Sequence, residues 1–189
     1  CVMEGKAFLV RFTTDWTCGL LWNKLYKRAL FDGIFFEEGH KIDDEYFTYQ
    51  GVMNAAKVVC DPRVVYNYRQ RASSVMQSPA ARAQIAVDRI DFMAKRREKV
   101  LERFPELRRE FDISFVDALS YLADYPDNTE ESIRLLKYYA RRYFLQRGNT
   151  FPPRYLLRGI LRVQLTGTKT ILRRSEKNRK PVDTAGLFR

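Results

Sequence analysis

Three adjacent acids, Asp43-Asp44-Glu45, are the residues in this chain best placed to do chemistry, and large aromatic residues follow at once in Ile42-Asp43-Asp44-Glu45-Tyr46-Phe47-Thr48-Tyr49-Gln50. Like charges this close repel, so at least one side chain must face away from the others. The first turn of a helix suits such a cluster, because free backbone N–H groups and the positive end of the helix dipole stabilise anions there. Phe47, Val52 and Met53, with Ala55-Ala56 beyond, give an apolar side at helical spacing. Asp43 is then the N-cap or a first-turn residue, and Asp44 points into a cleft. Two readings stay open on these residues alone. The acids cap a helix and add solubility, or one of them is a carboxylate general base or metal ligand held at a helix N-terminus.

The elements that must position the acids lie on both sides. Upstream stands Leu21-Trp22-Asn23-Lys24-Leu25-Tyr26-Lys27-Arg28-Ala29-Leu30-Phe31, then a Gly-containing connector through Gly39. Downstream stand Ala56-Lys57-Val58-Val59, Val65-Tyr66-Asn67-Tyr68-Arg69-Gln70-Arg71 and Ser73-Ser74-Val75-Met76. In this order and spacing, residues 16–78 resemble the second half of family 2 glycosyltransferases. These are inverting enzymes of the GT-A fold, and the likeness is to the branch that builds capsules, lipopolysaccharide and exopolysaccharide. Four separate blocks agree in order, which makes the resemblance fairly specific.

The resemblance implies an α/β fold class: the C-terminal, acceptor-side half of a GT-A Rossmann-like fold, followed by a mainly helical extension. It places the family's acidic motif on Asp43-Asp44-Glu45 and the catalytic base on Asp44, with Asp43 standing where the family more often has Glu. The choice between Asp43 and Asp44 stays open. In that chemistry a carboxylate removes the proton from an acceptor hydroxyl, which attacks the anomeric carbon and displaces a nucleoside diphosphate. The resemblance also sets Trp22, Asn23 and Lys24 close to the sugar, with Glu45, Arg69 and Arg71 completing the expected substrate-binding set.

The physical case for each is simple. A Trp face packs against a sugar ring, and Lys24 can neutralise phosphate; Trp22, Leu25 and Tyr26 serve equally well as core. Arg69 and Arg71 share a side if a strand over 64–69 continues, and two guanidinium forks suit a diphosphate. They suit the three acids just as well. His40, the one histidine, could share a divalent metal or tune the base; as a lone histidine in a connector it reads first as a solvated loop residue.

Several elements are expected by pattern. Ala7 to Phe12 is a strand or a helix remnant, and Thr13-Thr14-Asp15 is a polar break able to cap the next element. Residues 16–31 form either a strand ending near Trp22 or a short helix through Leu30. Lys57–Cys60 and Val64–Arg69 read as two strands broken by Asp61-Pro62-Arg63. From residue 79 helical periodicity takes over, with an interruption at Pro105, a second helix from Phe111 through Leu122, and a third starting at Asn128-Thr129 and ending near Gly148. Tyr121, Tyr125, Tyr138 and Tyr139 read as packing aromatics. The pattern divides the chain into three domains: 1–78 the catalytic part, 79–150 a helical appendage, 151–189 a basic amphipathic helix and tail.

Charge is unevenly spread. Residues 141–180 hold 12 Lys and Arg against one acid, Glu176, which equals the net +11 of the entire chain. Arg154, Arg158 and Arg162 recur every four residues, with Lys169, Arg173 and Arg174 beyond, among Leu157, Ile160, Leu161, Leu165 and Ile171. Such a segment lies on an anionic membrane surface, each basic residue contributing about 1 kcal/mol, or is a solvated helix packed on the domain. Nucleic acid is disfavoured, since no reading motif accompanies the charge.

A composition 46% hydrophobic and 14% aromatic is that of a folded chain. Its apolar runs fall far short of the ~20 residues of a membrane span. Cys1, Cys18 and Cys60 have no metal-ligand spacing and suggest free thiols in a reducing, cytoplasmic compartment, with peripheral contact on the inner face of the plasma membrane. A chain opening on Cys1, with neither an Asp-x-Asp site nor a glycine-rich strand–helix turn, reads as a fragment that does not transfer sugar alone. The Mg²⁺ or Mn²⁺ expected of the full-length enzyme would be held mainly by residues outside it. The expected partners are a nucleotide-sugar donor and a glycan or lipid-linked acceptor. The contrasting possibility is a non-catalytic basic helical module that binds an anionic membrane surface or a partner.

Overall fold

The computed structural model describes residues 1–64, 66–69, 71, 74, 76, 78–125, 128–144 and 157. Among them the chain is mostly helical, with one small antiparallel sheet. The expected basic helix through Arg154, Arg158, Arg162, Lys169, Arg173 and Arg174, and the helix end near Gly148, lie outside the described residues.

Strand β1 (Val2–Glu4) runs directly into helix α1 (Gly5–Arg11). It pairs antiparallel with β2 (Lys57–Val59), in the register Val2 to Val59, Met3 to Val58 and Glu4 to Lys57. The β1–α1 junction needs glycine, because a Cβ at Gly5 would stand 1.9 Å from the Ala55 carbonyl oxygen. The segment Ala7–Phe12 is therefore mainly helical, and it buries Phe8, Leu9 and Phe12.

Residues 16–31 form neither the strand nor the single helix expected of them. Two 3₁₀ turns, Trp16–Gly19 and Arg28–Phe31, flank an irregular loop. Asp15 caps the first turn, as its position in the polar break suggested: Oδ1 accepts from Thr17 N at 3.0 Å and from Thr17 Oγ1 at 2.6 Å. The Lys24 ammonium then gathers the Thr17 and Leu20 carbonyls, at 2.9 and 2.6 Å. Those carbonyls bond a side chain in place of a regular backbone ladder.

Helix α2 (Asp43–Met53) carries all three acids in its first turn. The strand expected over Val64–Arg69 is also absent among its described residues. Arg63 folds back on Asp61, whose Oδ1 accepts from Arg63 N and Nε at 3.0 Å each, as the chain leaves β2.

Among the described residues that follow stand three helices: α3 (Pro79–Arg103), α4 (Arg108–Ala123) and α5 (Glu130–Phe144). Ser78 caps α3, accepting from Ala81 N at 3.1 Å, and Pro79 occupies its first turn, where no N–H is needed. Pro105 opens the 3₁₀ turn Pro105–Leu107 that separates α3 from α4. Thr129 and Ser132 cap α5 reciprocally, each side chain accepting from the other's backbone N–H, at 3.2 and 2.9 Å.

Two cores meet along α3. One packs Phe8, Leu9, Ile42, Tyr46, Tyr49 and Val52 against Ile85, Phe92 and Val100. The other packs Ile90 and Ala94 against Phe115, Leu119, Leu122 and Leu136. Tyr139 packs on the second core as expected, whereas Tyr121 and Tyr138 stand exposed.

Candidate active site at the acidic turn

The three acids separate into three environments. Asp43 is exposed, and its Oδ1 accepts from Asp44 N at 3.1 Å. Glu45 turns inward toward Arg89 and Arg96 of α3. Burial raises its pKa and the two guanidinium groups oppose the rise. Gly19 leaves the space it needs, since a Cβ there would lie 3.1 Å from Glu45 Cγ. Arg96 is 5% exposed and sits over the Phe92 ring, 4.6 Å from its centroid. Glu45, expected among the substrate-binding residues, thus faces the helical block.

Asp44 takes the third course. It is half-buried against the 17–26 loop, and its Oδ1 accepts from Glu45 N at 3.0 Å. Backbone N–H groups of Glu45, Leu21 and Asp44 itself favour its charged form, but burial and the neighbouring Asp43 charge outweigh them and raise its pKa. Among the described residues no Lys or Arg forms a salt bridge with it. A half-buried carboxylate with no salt-bridge partner keeps proton affinity, which is what a general base requires.

The loop facing Asp44 carries the expected Trp22, Asn23 and Lys24. Trp22 is 39% exposed and lies over two exposed tyrosines. Its ring centroid is 4.4 Å from Tyr66 and 5.2 Å from Tyr68, nearly parallel to the latter. Asn23 donates to the Thr17 carbonyl at 3.2 Å. Lys24 donates to that carbonyl, to Leu20 O and to Asn23 Oδ1, so its three N–H bonds are committed within the loop. Burial pulls its pKa down to about 8, against the Cys18, Asp15 and Asp44 groups that raise it.

Behind Asp44, Thr48 stands one helical turn on and is 0% exposed. The Tyr26 phenol lies beside Thr48, and burial pushes it up to about 12. Arg69 and Arg71 are exposed and bridge none of the three acids. Among the described residues no strand sets them side by side.

His40 departs from the solvated loop residue expected. Its ring stacks on Tyr46 at 4.2 Å, with Nδ1 3.0 Å from Asp88 Oδ1 and Nε2 3.5 Å from Glu37. It faces α3 rather than Asp43 and Asp44. Among the described residues no group of three or more His, Cys, Asp or Glu is arranged to hold a metal. Cys1, Cys18 and Cys60 are free thiols, and burial lifts Cys18 to about 11.

Sequence reasoning passed over Asp88 and Arg96, although the signal was present. Ile85, Asp88, Phe92 and Arg96 fall on one stripe of α3, and charges inside an apolar stripe need partners. Tyr66 and Tyr68 were legible as one face of an alternating segment, but nothing in the pattern said that Trp22 would cover them.

Comparison with protein families, with curated proteins and with solved structures gives no match for this chain. Among the described residues no helix is long and apolar enough to cross a membrane.

Proposed function

We propose that the chain is the acceptor-side part of an inverting family 2 glycosyltransferase, with Asp44 as its general base. The observation that carries the reading is the difference among the three acids. Asp43 is solvated and Glu45 faces guanidinium groups of α3, while Asp44 is half-buried against the 17–26 loop and forms no salt bridge among the described residues. The ordered blocks that resemble the family supply the reaction class.

In this reading Asp44 accepts the proton of an acceptor hydroxyl as that oxygen bonds to the anomeric carbon of the donor sugar. The bond from that carbon to the nucleoside diphosphate breaks on the opposite face, which inverts the centre. Trp22, with Tyr66 and Tyr68, offers the acceptor ring a broad apolar face. Arg69 and Arg71, free of the acids, serve the diphosphate. Lys24 shapes the loop, and the donor site with its Mg²⁺ or Mn²⁺ belongs to residues outside the described ones. The small β1–β2 sheet belongs to a larger GT-A sheet, since two strands alone are marginal in water and Val2 and Val59 lie exposed on them. The basic segment through Arg154, Arg158 and Arg162 holds the enzyme at an anionic membrane surface, near lipid-linked acceptors.

The test is nucleoside diphosphate release from a panel of nucleotide-sugars with divalent metal, in the intact gene product and its Asp44→Asn variant. Release lost in the variant, with a melting temperature that does not fall, supports the base and the family together. Equal release from both moves the base to Asp43. No release from any donor favours a surface-binding module.

A further inference from the structure

We infer that α3 is a positioning element for the acidic turn, and that His40 and Asp88 are positioning residues which hold Asp44 in place without touching substrate. The inference rests on the reading of Asp44 as the base. Its structural half can be tested without catalysis.

The acidic turn is fastened to α3 on both sides. Upstream, the Asp88 carboxylate is 1% exposed and gathers three donors: His40 Nδ1 at 3.0 Å, the Lys41 backbone N–H at 2.6 Å and Gln84 Nε2 at 2.8 Å. Facing a carboxylate, Nδ1 must carry the proton. Downstream, the Tyr46 hydroxyl lies 2.9 Å from both the Asp88 carbonyl oxygen and Asp91 Oδ2, while Glu45 faces Arg89 and Arg96. The His40 ring stacks on Tyr46, so the two sides also touch each other. Asp43 and Asp44 lie on the short span between these attachments.

The connector needs such fastening. Ile42 at the N-cap gives α2 no side-chain cap, and the chain enters through Gly39 at φ +88°. Ile42 packs into the core and its carbonyl accepts from Glu45 N at 3.0 Å, but no side chain of the connector caps the first turn of α2. Hydrogen bonds to a buried carboxylate are among the stronger ones available, and Asp88 spends two of its three on His40 and Lys41. A base must stand within about 2.6–3.2 Å of the proton it takes. A displacement of about 1 Å at such a centre costs on the order of a hundredfold in rate.

Two substitutions at His40 separate the hydrogen bond from the packing. His40→Phe keeps a ring on Tyr46 and removes the donor. His40→Asn places an amide N–H near the Nδ1 position and removes the ring. Amide hydrogen exchange is measured residue by residue on this chain. The expected result is exchange about tenfold or more faster at Lys41, Asp44 and Glu45 in His40→Phe and in Asp88→Asn. In His40→Asn it stays within about twofold of wild type, and exchange in α4 is unchanged throughout. Unchanged exchange at the turn in His40→Phe would overturn the inference. So would equal acceleration in both His40 variants, because packing alone would then explain it.

In the transferase itself, His40→Phe is expected to lower kcat about tenfold or more with the donor KM unchanged, and His40→Asn to restore it. An enzyme that turns over equally well in His40→Phe contradicts the functional half. If no turnover is found with any donor while the exchange pattern holds, the glycosyltransferase reading fails and the fastening by α3 stands.

Discussion

Asp112 and Asp44 are both acids withdrawn from water, and the protein treats them in opposite ways. Asp112, on α4, is 0% exposed and meets Arg97 of α3 through its Nε at 2.7 Å and its terminal nitrogen. Asp88 is likewise saturated, with three donors. Asp44 has backbone N–H groups but no salt bridge among the described residues, the like charge of Asp43 as its neighbour, and a raised pKa. Burying a carboxylate without a partner is unfavourable, so a fold selected for stability alone would pair Asp44 or expose it. That Glu45, the next residue, is aimed at Arg89 and Arg96 shows that cations were within reach of this turn. The contrast separates acids that hold the fold together from one kept available.

Three substitutions, read in four measurements, would break or sharpen this contrast. The largest effect is expected on transfer: Asp44→Asn should cost about 10²–10⁴ in kcat/KM, read as nucleoside diphosphate release. Next, Asp112→Ala should destabilise by about 3–5 kcal/mol in urea unfolding, because it strands the buried Arg97 charge. Glu45→Gln should destabilise by less than Asp112→Ala in the same measurement, because burial opposes the Glu45 charge while Arg89 and Arg96 favour it and the two effects offset. The smallest effect carries the opposite sign. A carboxyl whose pKa is raised on folding binds more protons folded than unfolded, so its contribution falls as pH rises from the ordinary aspartate value through the raised one. Asp44→Asn should therefore raise the melting temperature at neutral pH, with the gain vanishing below the ordinary value of 3.8. A melting temperature that drops instead would place Asp44 with the paired acids.

The helical elements were largely legible in the sequence because their signals are local. Ser78-Pro79, Pro105 and Thr129 to Ser132 mark helix boundaries by backbone chemistry that needs no tertiary partner. The acidic turn was legible for the same reason, since three carboxylates favour a helix N-terminus wherever it lies. The 16–31 segment was not, because its shape depends on one Lys24 ammonium collecting carbonyls along the loop. The strand over Val64–Arg69 was misread because alternation shows a capacity to pair, and its described residues pair with nothing. His40 looked solvated because Asp88 lies 48 residues further along the chain. Which of three adjacent acids faces water, a loop or α3 is likewise a tertiary fact, and no spacing rule within 43–45 contains it.

The measurement that tests the contrast most directly is a ¹³C carboxyl titration of Asp44 in this chain, with the signal assigned by its loss in Asp44→Asn. The expected midpoint lies above the ordinary aspartate value, because burial and the Asp43 charge raise it. A midpoint at or below that value would mean that Asp44 is paired or solvated like the other acids, and would contradict its role as the base.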